Sequence, residues 1–318
     1  MVDFIHEALS NQYGLRIRTV AEVQGGWSAS AFVVDTDTGK YFVKLYDKNR
    51  PSVQPWIQRM AHYMPIVLWL SDSTPLKNRM VAPIYTKDNG YKAESARWIL
   101  SVYPFVEGET LCETKLSSDQ IHQLAETLAL LHSYKENIPV PTGLITETYS
   151  LPFLERLSEI LRTKGIPHNL KTVMSQHAGV MQKAINDLTI LAEKLRRNPP
   201  ANALCHTDVH GWNLMWGEKL ILIDWEGLRL APIEADLFAF SDRFFFDYAK
   251  EAFFSAYKRV CPAYMVNETA MRYYRLRRRL EDISEFAHSI ANDGPVQSEM
   301  EKSIMHLQNE YAELERMY

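Results

Sequence analysis

The chain has 318 residues, of which 46% are hydrophobic and 23% are charged, as is usual for a globular protein. Its 35 basic and 39 acidic side chains leave a net charge of −4, which argues against nucleic-acid binding through bulk positive charge. Its 3 cysteines are too few, and an odd number, for a disulfide framework. A chain of this length predicts two lobes, each with its own core.

The beginning of the sequence and its apolar stretches show no targeting or membrane signal. Residues 1–13 carry acidic side chains and lack the basic and apolar regions of a signal peptide. The longest apolar stretch, residues 64–70, contains Pro65 and is too short to cross a bilayer. We therefore expect a cytoplasmic protein with reduced cysteines and with no membrane or nucleic-acid partner.

The first hundred residues predict mostly strands. Two β-prone runs, residues 31–34 and 41–45, flank a glycine-containing turn and predict a hairpin. A second pair of strands is predicted at residues 81–85 and 97–103, around the turn at residues 88–90. The other elements predicted here are a strand at residues 19–24 and a helix at residues 54–70.

After Gly108 the pattern becomes helical, beginning with apolar residues at helical spacing from Ile121 to Leu131. Further helices are predicted at residues 152–161, 171–196, 236–260, 268–291 and 297–316, and short strands at residues 204–205 and 220–224. The prediction is an α+β fold with two lobes. The N-terminal lobe, residues 1–102, has a small antiparallel sheet and one helix; residues 103–107 form a hinge, and residues 108–318 a larger helical lobe.

A cluster of polar residues between two short strands indicates phosphoryl transfer. His206-x-Asp208 is followed after four residues by Asn213, and an apolar strand then ends in Asp224. In such a loop an aspartate orients the attacking hydroxyl, while an amide oxygen and a second carboxylate hold Mg²⁺ against the phosphates. The alternative interpretation is a polar turn between two core strands.

Two features of the first lobe fit the same chemistry. Lys44 lies late in a predicted strand among residues that favour burial, where an unpaired ammonium is costly, so it is expected to have a partner. The alternative is a lysine that faces outward from a half-exposed strand. Gly25-Gly26-Trp27-Ser28 offers backbone N–H groups that could cover phosphates, although a hairpin loop needs no such function.

These features occur in the order of the protein-kinase-like fold. The chain resembles the aminoglycoside phosphotransferase and choline kinase superfamily over nearly its whole length. The matching motifs are His206-Thr207-Asp208-Val209-His210-Gly211-Trp212-Asn213, Ile223-Asp224-Trp225-Glu226, Ala231-Pro232-x-Glu234-x-Asp236-Leu237 and Tyr103-Pro104-Phe105-Val106-Glu107-Gly108. The superfamily loop itself has the form His-Gly-Asp-Leu-His-x-x-Asn. Several segments, among them Gln24-Gly25-Gly26 and Glu281-Asp282-Ile283, look most like those of spectinomycin phosphotransferases.

The resemblance implies a role for each matching residue. Asp208 would be the catalytic base, and His206 and Asp236 would brace its loop. Asn213 and Asp224 would hold Mg²⁺. ATP would be bound by Ser28, Lys44, Pro104 and Val106, with the last two meeting adenine through their backbone atoms. Pro104 has only a C=O to offer, whereas Val106 retains an N–H.

One departure from the pattern concerns Lys44. Kinase-like folds pair this lysine with a glutamate on the following helix, but no glutamate occurs between Lys44 and Glu94. The helix offers Gln54, Gln58, Arg59 and His62 instead. Either the lysine is held differently or a carboxylate comes from elsewhere in the chain.

The acceptor is expected to be small. Only 7 residues separate Asp224 from Pro232, which leaves no room for the segment that docks peptides in protein kinases. Glu281, Asp282 and Glu285 follow an arginine-rich stretch on one predicted helix and would suit a cationic acceptor. The alternative is a solvated charged face with pairing of Arg277 to Glu281. The aromatic run Phe244-Phe245-Phe246 with Tyr248 is interpreted mainly as core, and a zinc site at Cys205, His206 and His210 is disfavoured.

The sequence therefore predicts an ATP- and Mg²⁺-dependent kinase that phosphorylates a hydroxyl of a small cationic molecule. An aminoglycoside or aminocyclitol antibiotic such as spectinomycin is the first choice, which implies antibiotic resistance. The alternatives are a metabolic kinase for choline, homoserine or a sugar, and a nucleotide-binding regulator without catalysis. A monomer and a homodimer are both compatible with the sequence.

Overall fold

The computed structural model describes residues 1–26, 28–112, 114–135, 137–163, 165–243 and 245–318. The chain divides into two compact units. The first comprises residues 1–127, 138–144 and 210–228, and the second residues 128–137, 145–209 and 229–318. The predicted hinge at residues 103–107 lies within the first unit, and the predicted lobe boundaries stay a prediction.

The first unit contains a five-stranded antiparallel sheet in the order β1-β2-β3-β5-β4. Its strands are β1 (Ile17–Val23), β2 (Ser30–Thr36), β3 (Lys40–Asp47), β4 (Ala93–Glu94) and β5 (Trp98–Pro104). The β2–β3 hairpin confirms the prediction, and its turn is closed by the Thr36 hydroxyl, which donates to the Gly39 carbonyl at 2.8 Å.

The predicted strand at residues 81–85 is wrong. This segment is irregular, and the strand that pairs with β5 on this side is the short β4. Pro83 has no N–H to donate, so a regular ladder cannot continue through it. The Ile84 N–H still donates to the Val102 carbonyl at 2.7 Å, which fixes the segment beside β5 without making it a strand.

Helices α1 (Val2–Ala8) and α2 (Gln54–Ser73) also belong to the first unit. The sequence predicted α2 but not α1. Ile5 and Leu9 are fully buried and pack against one face of the sheet, together with Val43 and Leu45 of β3. Because side chains alternate along a strand, Lys44 lies on the opposite face of β3.

Five short strands form two smaller sheets. They are β6 (Glu109–Thr110), β7 (Ala203–Cys205), β8 (Leu214–Trp216), β9 (Leu220–Leu222) and β10 (Arg229–Ala231). In the first unit β6, β8 and β9 form an antiparallel sheet in that order. In the second unit β7 pairs with β10. The predicted strands at residues 204–205 and 220–224 are thus present, although β9 ends two residues before Asp224.

The remaining helices include several that match the predictions closely. They are α3 (Ser118–Leu131), α4 (Pro152–Arg162), α5 (His168–Gln176), α6 (Ala178–Arg197), α7 (Glu234–Leu237), α8 (Lys250–Val260), α9 (Glu268–Asn292) and α10 (Gln297–Glu315). Within the second unit, α9 packs against α4, α6, α7 and α10. Among the residues that the structure describes, no helix is long and apolar enough to cross a bilayer.

Two predicted helices are interrupted. The helix expected at residues 171–196 breaks at His177, whose φ and ψ of −104° and 10° are not helical and whose ring stacks on Tyr311. In place of the helix expected at residues 236–260 the chain forms α7, two short 3₁₀ helices at residues 238–241 and 247–249, and α8. Here the Phe240 ring stacks on Phe246 at 5.3 Å and on Phe253 at 3.4 Å, a packing that one straight helix cannot provide.

Candidate active site

Lys44 is held by two carboxylates of the first unit. Its ammonium lies 2.7 Å from Asp224 Oδ1 and 2.7 Å from Glu226 Oε1. Although burial opposes ionisation, these two carboxylates raise the pKa of Lys44 above its usual value. The lysine therefore stays charged, and the alternative of an outward-facing surface lysine does not apply.

Glu226 supplies the carboxylate that the sequence of α2 lacks. Besides Lys44, its Oε1 accepts a hydrogen bond from the Tyr46 hydroxyl at 2.6 Å, and its Oε2 accepts one from the Ser28 hydroxyl at 2.8 Å. Burial opposes its ionisation, but Lys44 and these hydrogen bonds lower the pKa of Glu226. The sequence did not predict this role, although a second acidic residue two positions after Asp224 was a signal for it.

Asp224 and Asn213 are brought together by the backbone. The Ile223 N–H donates to the Asn213 carbonyl at 3.0 Å, which ties the residue before Asp224 to Asn213. Asp224 has a φ of 63°, in the left-handed region, which sets the direction of its side chain at the end of the strand segment. Carboxylate and amide oxygens are the donors that Mg²⁺ prefers, so this pair fits the ion that the sequence predicts.

The glycine loop lies beside Asp224. A Cβ built on Gly26 would be 3.9 Å from Asp224 Oδ2, so the loop backbone approaches the carboxylate closely. At Gly25 a Cβ would lie 2.7 Å from the Ala29 carbonyl oxygen, which only glycine avoids. Trp27, in the same loop, lies outside the described residues. The first unit thus collects the loop, Lys44, Asn213 and Asp224.

Two further residues that the resemblance assigns to ATP lie at the end of β5. Pro104 is its last residue and is exposed, and the half-buried Val106 follows two residues later. The Phe105 N–H between them donates to the Lys40 carbonyl at 3.4 Å and keeps the segment against β3. The assignment of Pro104 and Val106 to adenine remains a prediction.

In the second unit, Asp236 fixes the backbone that precedes Asp208. Its carboxylate accepts the His206 N–H at 2.9 Å and the Thr207 N–H at 2.5 Å, and it also contacts the His132 ring at 3.0 Å. Thr207 has a φ of 66°, a conformation that glycine adopts without strain and that the glycine of the superfamily motif would suit. These contacts are those expected of a residue that braces the loop.

A buried group of potential metal ligands surrounds the same aspartate. Single ligand atoms of His132, Cys205 and Asp236 lie within 4.8 Å of one another. The other nitrogen of the His132 ring contacts the Tyr257 hydroxyl at 2.7 Å, and the Cys205 thiol donates to the Ala231 carbonyl at 3.4 Å. Burial raises the pKa of Cys205 well above its usual value, so the thiol stays protonated. The group is an internal hydrogen-bond network that supports the loop.

Asp208 is paired with an arginine of α9. One nitrogen of the Arg278 guanidinium binds Asp208 Oδ1, and its Nε binds Asp282 Oδ2 at 2.7 Å. Although burial opposes ionisation, Asp282 and Asp208 raise the pKa of Arg278 well above its usual value. The guanidinium also lies 5.9 Å from the centre of the Phe245 ring. The sequence did not predict this pairing, because residues 70 positions apart carry no local signal.

The three carboxylates proposed for the acceptor differ in their partners. Glu281 accepts from Arg277 at 2.9 Å, a side chain that also binds Glu147 at 2.6 Å, whereas Asp282 is taken by Arg278. Arg277 is only 6% exposed, so this pairing is not the solvated charged face considered as an alternative. Among the described residues Glu285 has no hydrogen bond or ion pair. Burial, with Asp282 and Glu281 nearby, raises the pKa of Glu285 to about 8.

The aromatic run after α7 divides between core and surface. Phe246 is buried, Phe245 lies under the Arg278 and Arg279 guanidinium groups, and Tyr248 is exposed. The prediction that most of the run is core is not confirmed, because Phe246 is the one member of the run that is buried among the described residues. Phe244 lies outside the described residues.

Comparison with known proteins places the chain among enzymes. A model of the phosphotransferase enzyme family matches residues 19–264. The chain belongs to this family. The assignment confirms the superfamily inferred from the sequence and the enzyme class predicted with it, a small-molecule phosphotransferase.

Individual relatives are more distant. Protein StrN of Streptomyces griseus is 24% identical over 233 residues, which cover 70% of this chain and 67% of StrN. The solved structure of spectinomycin phosphotransferase APH(9)-Ia with ADP and spectinomycin has a TM-score of 0.76 at 21% identity, over 98% of this chain and 97% of the other. Choline kinase LicA from Streptococcus pneumoniae gives a TM-score of 0.63 at 18% identity, over 99% of both chains. At these identities the solved structures confirm the kinase-like α+β fold.

Proposed function

We propose that the protein transfers the terminal phosphoryl group of ATP to a hydroxyl of a small cationic molecule. An aminoglycoside or aminocyclitol antibiotic such as spectinomycin is the acceptor we favour, and the cellular role is then antibiotic resistance in the cytoplasm. The observation that carries the proposal is the pairing of Lys44 with Asp224 at 2.7 Å beside the glycine loop. A buried lysine, a metal-type carboxylate and an open loop backbone form a site suited to a polyphosphate.

The residues of the first unit are assigned to the nucleotide. Lys44 binds its phosphates, Ser28 lies in the loop that covers them, and the backbone of Pro104 and Val106 meets adenine. Asn213 and Asp224 hold Mg²⁺, which when bound neutralises charge on the phosphates. The similarity in fold to an enzyme whose structure contains ADP supports these assignments.

Asp208 is assigned to the acceptor hydroxyl, which it orients by accepting its hydrogen bond and whose proton it takes up as the new ester forms. Two features keep this carboxylate in one place. Asp236 fixes the backbone just before it, and Arg278 binds one of its oxygens. Positioning of this kind is the main protein contribution expected in phosphoryl transfer.

The carboxylate best suited to a cationic acceptor is Glu285. Glu281 and Asp282 each form an ion pair with an arginine. Glu285 forms no such ion pair among the described residues, although Arg278 and Arg156 are near enough to lower its pKa in part. A cationic group seated beside Glu285 would favour its ionised form and release the proton that its pKa of about 8 retains at neutral pH. Binding of the acceptor should therefore strengthen as the pH rises toward 8.

A coupled ATPase assay tests the proposal with aminoglycosides, spectinomycin, choline and homoserine as acceptors. We expect stimulation by an aminocyclitol and loss of about a hundredfold to ten-thousandfold of that turnover in Asp208→Ala, with nucleotide binding retained. Stimulation by choline or homoserine alone would replace the antibiotic with a metabolic acceptor, which the fold shared with choline kinase LicA favours as the second candidate. Unchanged turnover in Asp208→Ala would contradict the mechanism.

A further inference from the structure

The ammonium of Lys44 has two acidic partners that differ in exposure and in their own contacts. The Asp224 side chain is 27% exposed, whereas that of Glu226 is 9% exposed. Asp224 lies under the glycine loop, on the side proposed for the metal. Glu226 is held from three directions, by Lys44, by the Tyr46 hydroxyl and by the Ser28 hydroxyl.

The helix α2 provides no carboxylate for this lysine. It contains no glutamate, and its one aspartate, Asp72, lies at its C-terminal end and accepts a hydrogen bond from Tyr85. At the level of Glu226, α2 instead contributes Tyr63, whose pKa is raised well above its usual value by burial and by the Glu226 charge. The polar residues of α2 that the sequence offered as substitutes include Gln58, which is exposed.

We propose that Glu226 is the positioning residue of Lys44, in the place of a helix glutamate, and that it leaves Asp224 exchangeable. A buried ammonium needs a permanent counter-ion, because an unpaired one is strongly disfavoured. Glu226 provides that counter-ion from a site with three donors. Asp224 can then turn from Lys44 to another cation while the lysine remains neutralised and in place.

The inference rests on the proposed role of Lys44 and Asp224 in binding the nucleotide and its metal. A purely structural role for Glu226 would affect nucleotide binding equally with and without Mg²⁺, whereas the proposed role would not. Without the Glu226 charge, Lys44 has only Asp224 as counter-ion and competes with Mg²⁺ for that carboxylate. Binding of a nucleotide with Mg²⁺ must then suffer more than binding of the nucleotide alone.

The experiment measures calorimetric binding of ADP, with and without Mg²⁺, to the wild-type chain and to Glu226→Gln. We expect the affinity for ADP with Mg²⁺ to fall by roughly tenfold to a hundredfold, as for other residues that support a metal ligand indirectly. Affinity for ADP alone should fall much less, because Lys44 keeps its charge and one partner. Glu226→Asp keeps the charge and serves as a second variant if Glu226→Gln unfolds the chain. Its affinity for ADP with Mg²⁺ should lie between those of the wild type and Glu226→Gln.

Three control variants separate Glu226 from other residues. Glu94→Gln removes a carboxylate from the same sheet that binds Lys48 and Lys92 at the surface, and it should change neither affinity. Gln58→Ala and His62→Ala remove polar groups of α2 and should also be neutral. A loss of binding in either α2 variant would overturn the inference.

The remaining outcomes distinguish the two levels of the proposal. If the wild-type chain binds ADP but Glu226→Gln binds ADP with Mg²⁺ equally well, Glu226 is not the positioning residue and the proposed function stands. An equal loss with and without Mg²⁺ would mean that Glu226 only supports the fold. If the wild-type chain binds no ADP, the proposed function is wrong and the inference falls with it.

Discussion

Thr207, just before Asp208, has a strained backbone conformation. Its φ of 66° is enforced by the two hydrogen bonds that Asp236 accepts from the loop backbone. A side chain with a Cβ pays about 1–2 kcal/mol for this conformation, and a β-branched one is especially disfavoured. Threonine is therefore not the residue type that this left-handed conformation favours.

We predict that Thr207→Gly unfolds at a higher temperature than Thr207→Ala, by about 1 kcal/mol in the free energy of unfolding. Both changes remove the hydroxyl, so the difference isolates the left-handed backbone. The same two substitutions at Thr189, an exposed position in α6, should give the opposite order, because glycine disfavours a helix. If the glycine and alanine variants had the same order of stability at both positions, the backbone strain assigned to Thr207 would be wrong.

Gly211 is required by the close approach of two backbone segments. A Cβ on this residue would lie 2.5 Å from the Leu111 carbonyl oxygen and 2.7 Å from Cys112 Cα. Gly211→Ala is expected to displace the loop that carries Asn213, with a loss of about 1–3 kcal/mol of stability and a fall in turnover. Gly179→Ala is the matched control, since no atom would lie within 4 Å of the new methyl group in α6.

Thermal unfolding measures the stability of Gly211→Ala and Gly179→Ala, and steady-state kinetics measures their turnover. Gly179→Ala should leave turnover unchanged and should not lower stability, because alanine favours a helix more than glycine does. If Gly211→Ala were as stable and active as the wild type, the backbone contact at Leu111 would not be tight in solution.

At the scale of elements, α9 presents three consecutive arginines in three directions. Arg277 pairs with Glu147 and Glu281, Arg278 with Asp208 and Asp282, and Arg279 with Asp242 and Glu310. Successive side chains of a helix are rotated by about 100°, so each arginine meets a different neighbour. Arg277 and Arg279 are 6% and 1% exposed, whereas Arg278 is 25% exposed.

This difference predicts different results for three alanine variants. Arg277→Ala removes the ion pair of the buried Glu147, and Arg279→Ala removes that of the buried Glu310, so each should lose about 3–5 kcal/mol of stability. Arg278→Ala should remain folded but lose turnover, because Asp208 then lacks its restraint. Arg197→Ala, which removes an exposed pair with Glu193, is the control for both readouts. Full activity in a folded Arg278→Ala would exclude a role for Arg278 in positioning Asp208.

Some boundaries of elements follow from local chemistry and others from tertiary contacts. The β2–β3 hairpin was predictable because a glycine turn separates two β-prone runs. The break at His177 was not, because the ring stacks on Tyr311 and contacts Glu315, which lie more than 130 positions away. Pro83 carried a signal against a regular strand that the alternation of its neighbours obscured.

The residues of the candidate site also divide into those that local sequence predicts and those that only the fold identifies. The loop around Asp208 and the segment at Asp224 have fixed local spacings, so the sequence was sufficient to find them. The partners of Lys44 and Asp208 lie 182 and 70 positions away, so only the fold could identify Glu226 and Arg278. The missing glutamate of α2 showed that a partner had to exist, but not where it was.

For the whole molecule, the raised pKa of Glu285 makes the stability of the fold depend on pH. The pKa of Glu285, raised by burial and by Asp282 and Glu281, is about 8 in the folded chain against an ordinary 4.5. An acid whose pKa is raised on folding stabilises the fold fully below its ordinary pKa, and this contribution is lost as the pH rises through the folded value. Stability should therefore decline between pH 4.5 and 8 from this group.

We predict that Glu285→Gln flattens this decline. The variant should match the wild type near pH 4.5 and unfold at a higher temperature above pH 8, because it carries no charge to bury. Thermal unfolding across the range measures the slope, and Glu193→Gln at the surface of α6 should keep the slope of the wild type. The same slope in Glu285→Gln would show that this carboxyl is solvated and ordinary.

The position of Glu226 has a consequence for inhibitor design. In kinase-like folds that take this glutamate from a helix, displacement of the helix breaks its pairing with the strand lysine. Here such a displacement of α2 would not break the contact with Lys44, since Glu226 lies on the segment that contains Asp224. Inhibitors of this protein should instead compete with the nucleotide at Asp224 and the glycine loop. Compounds that require a displaced helix should bind this protein weakly.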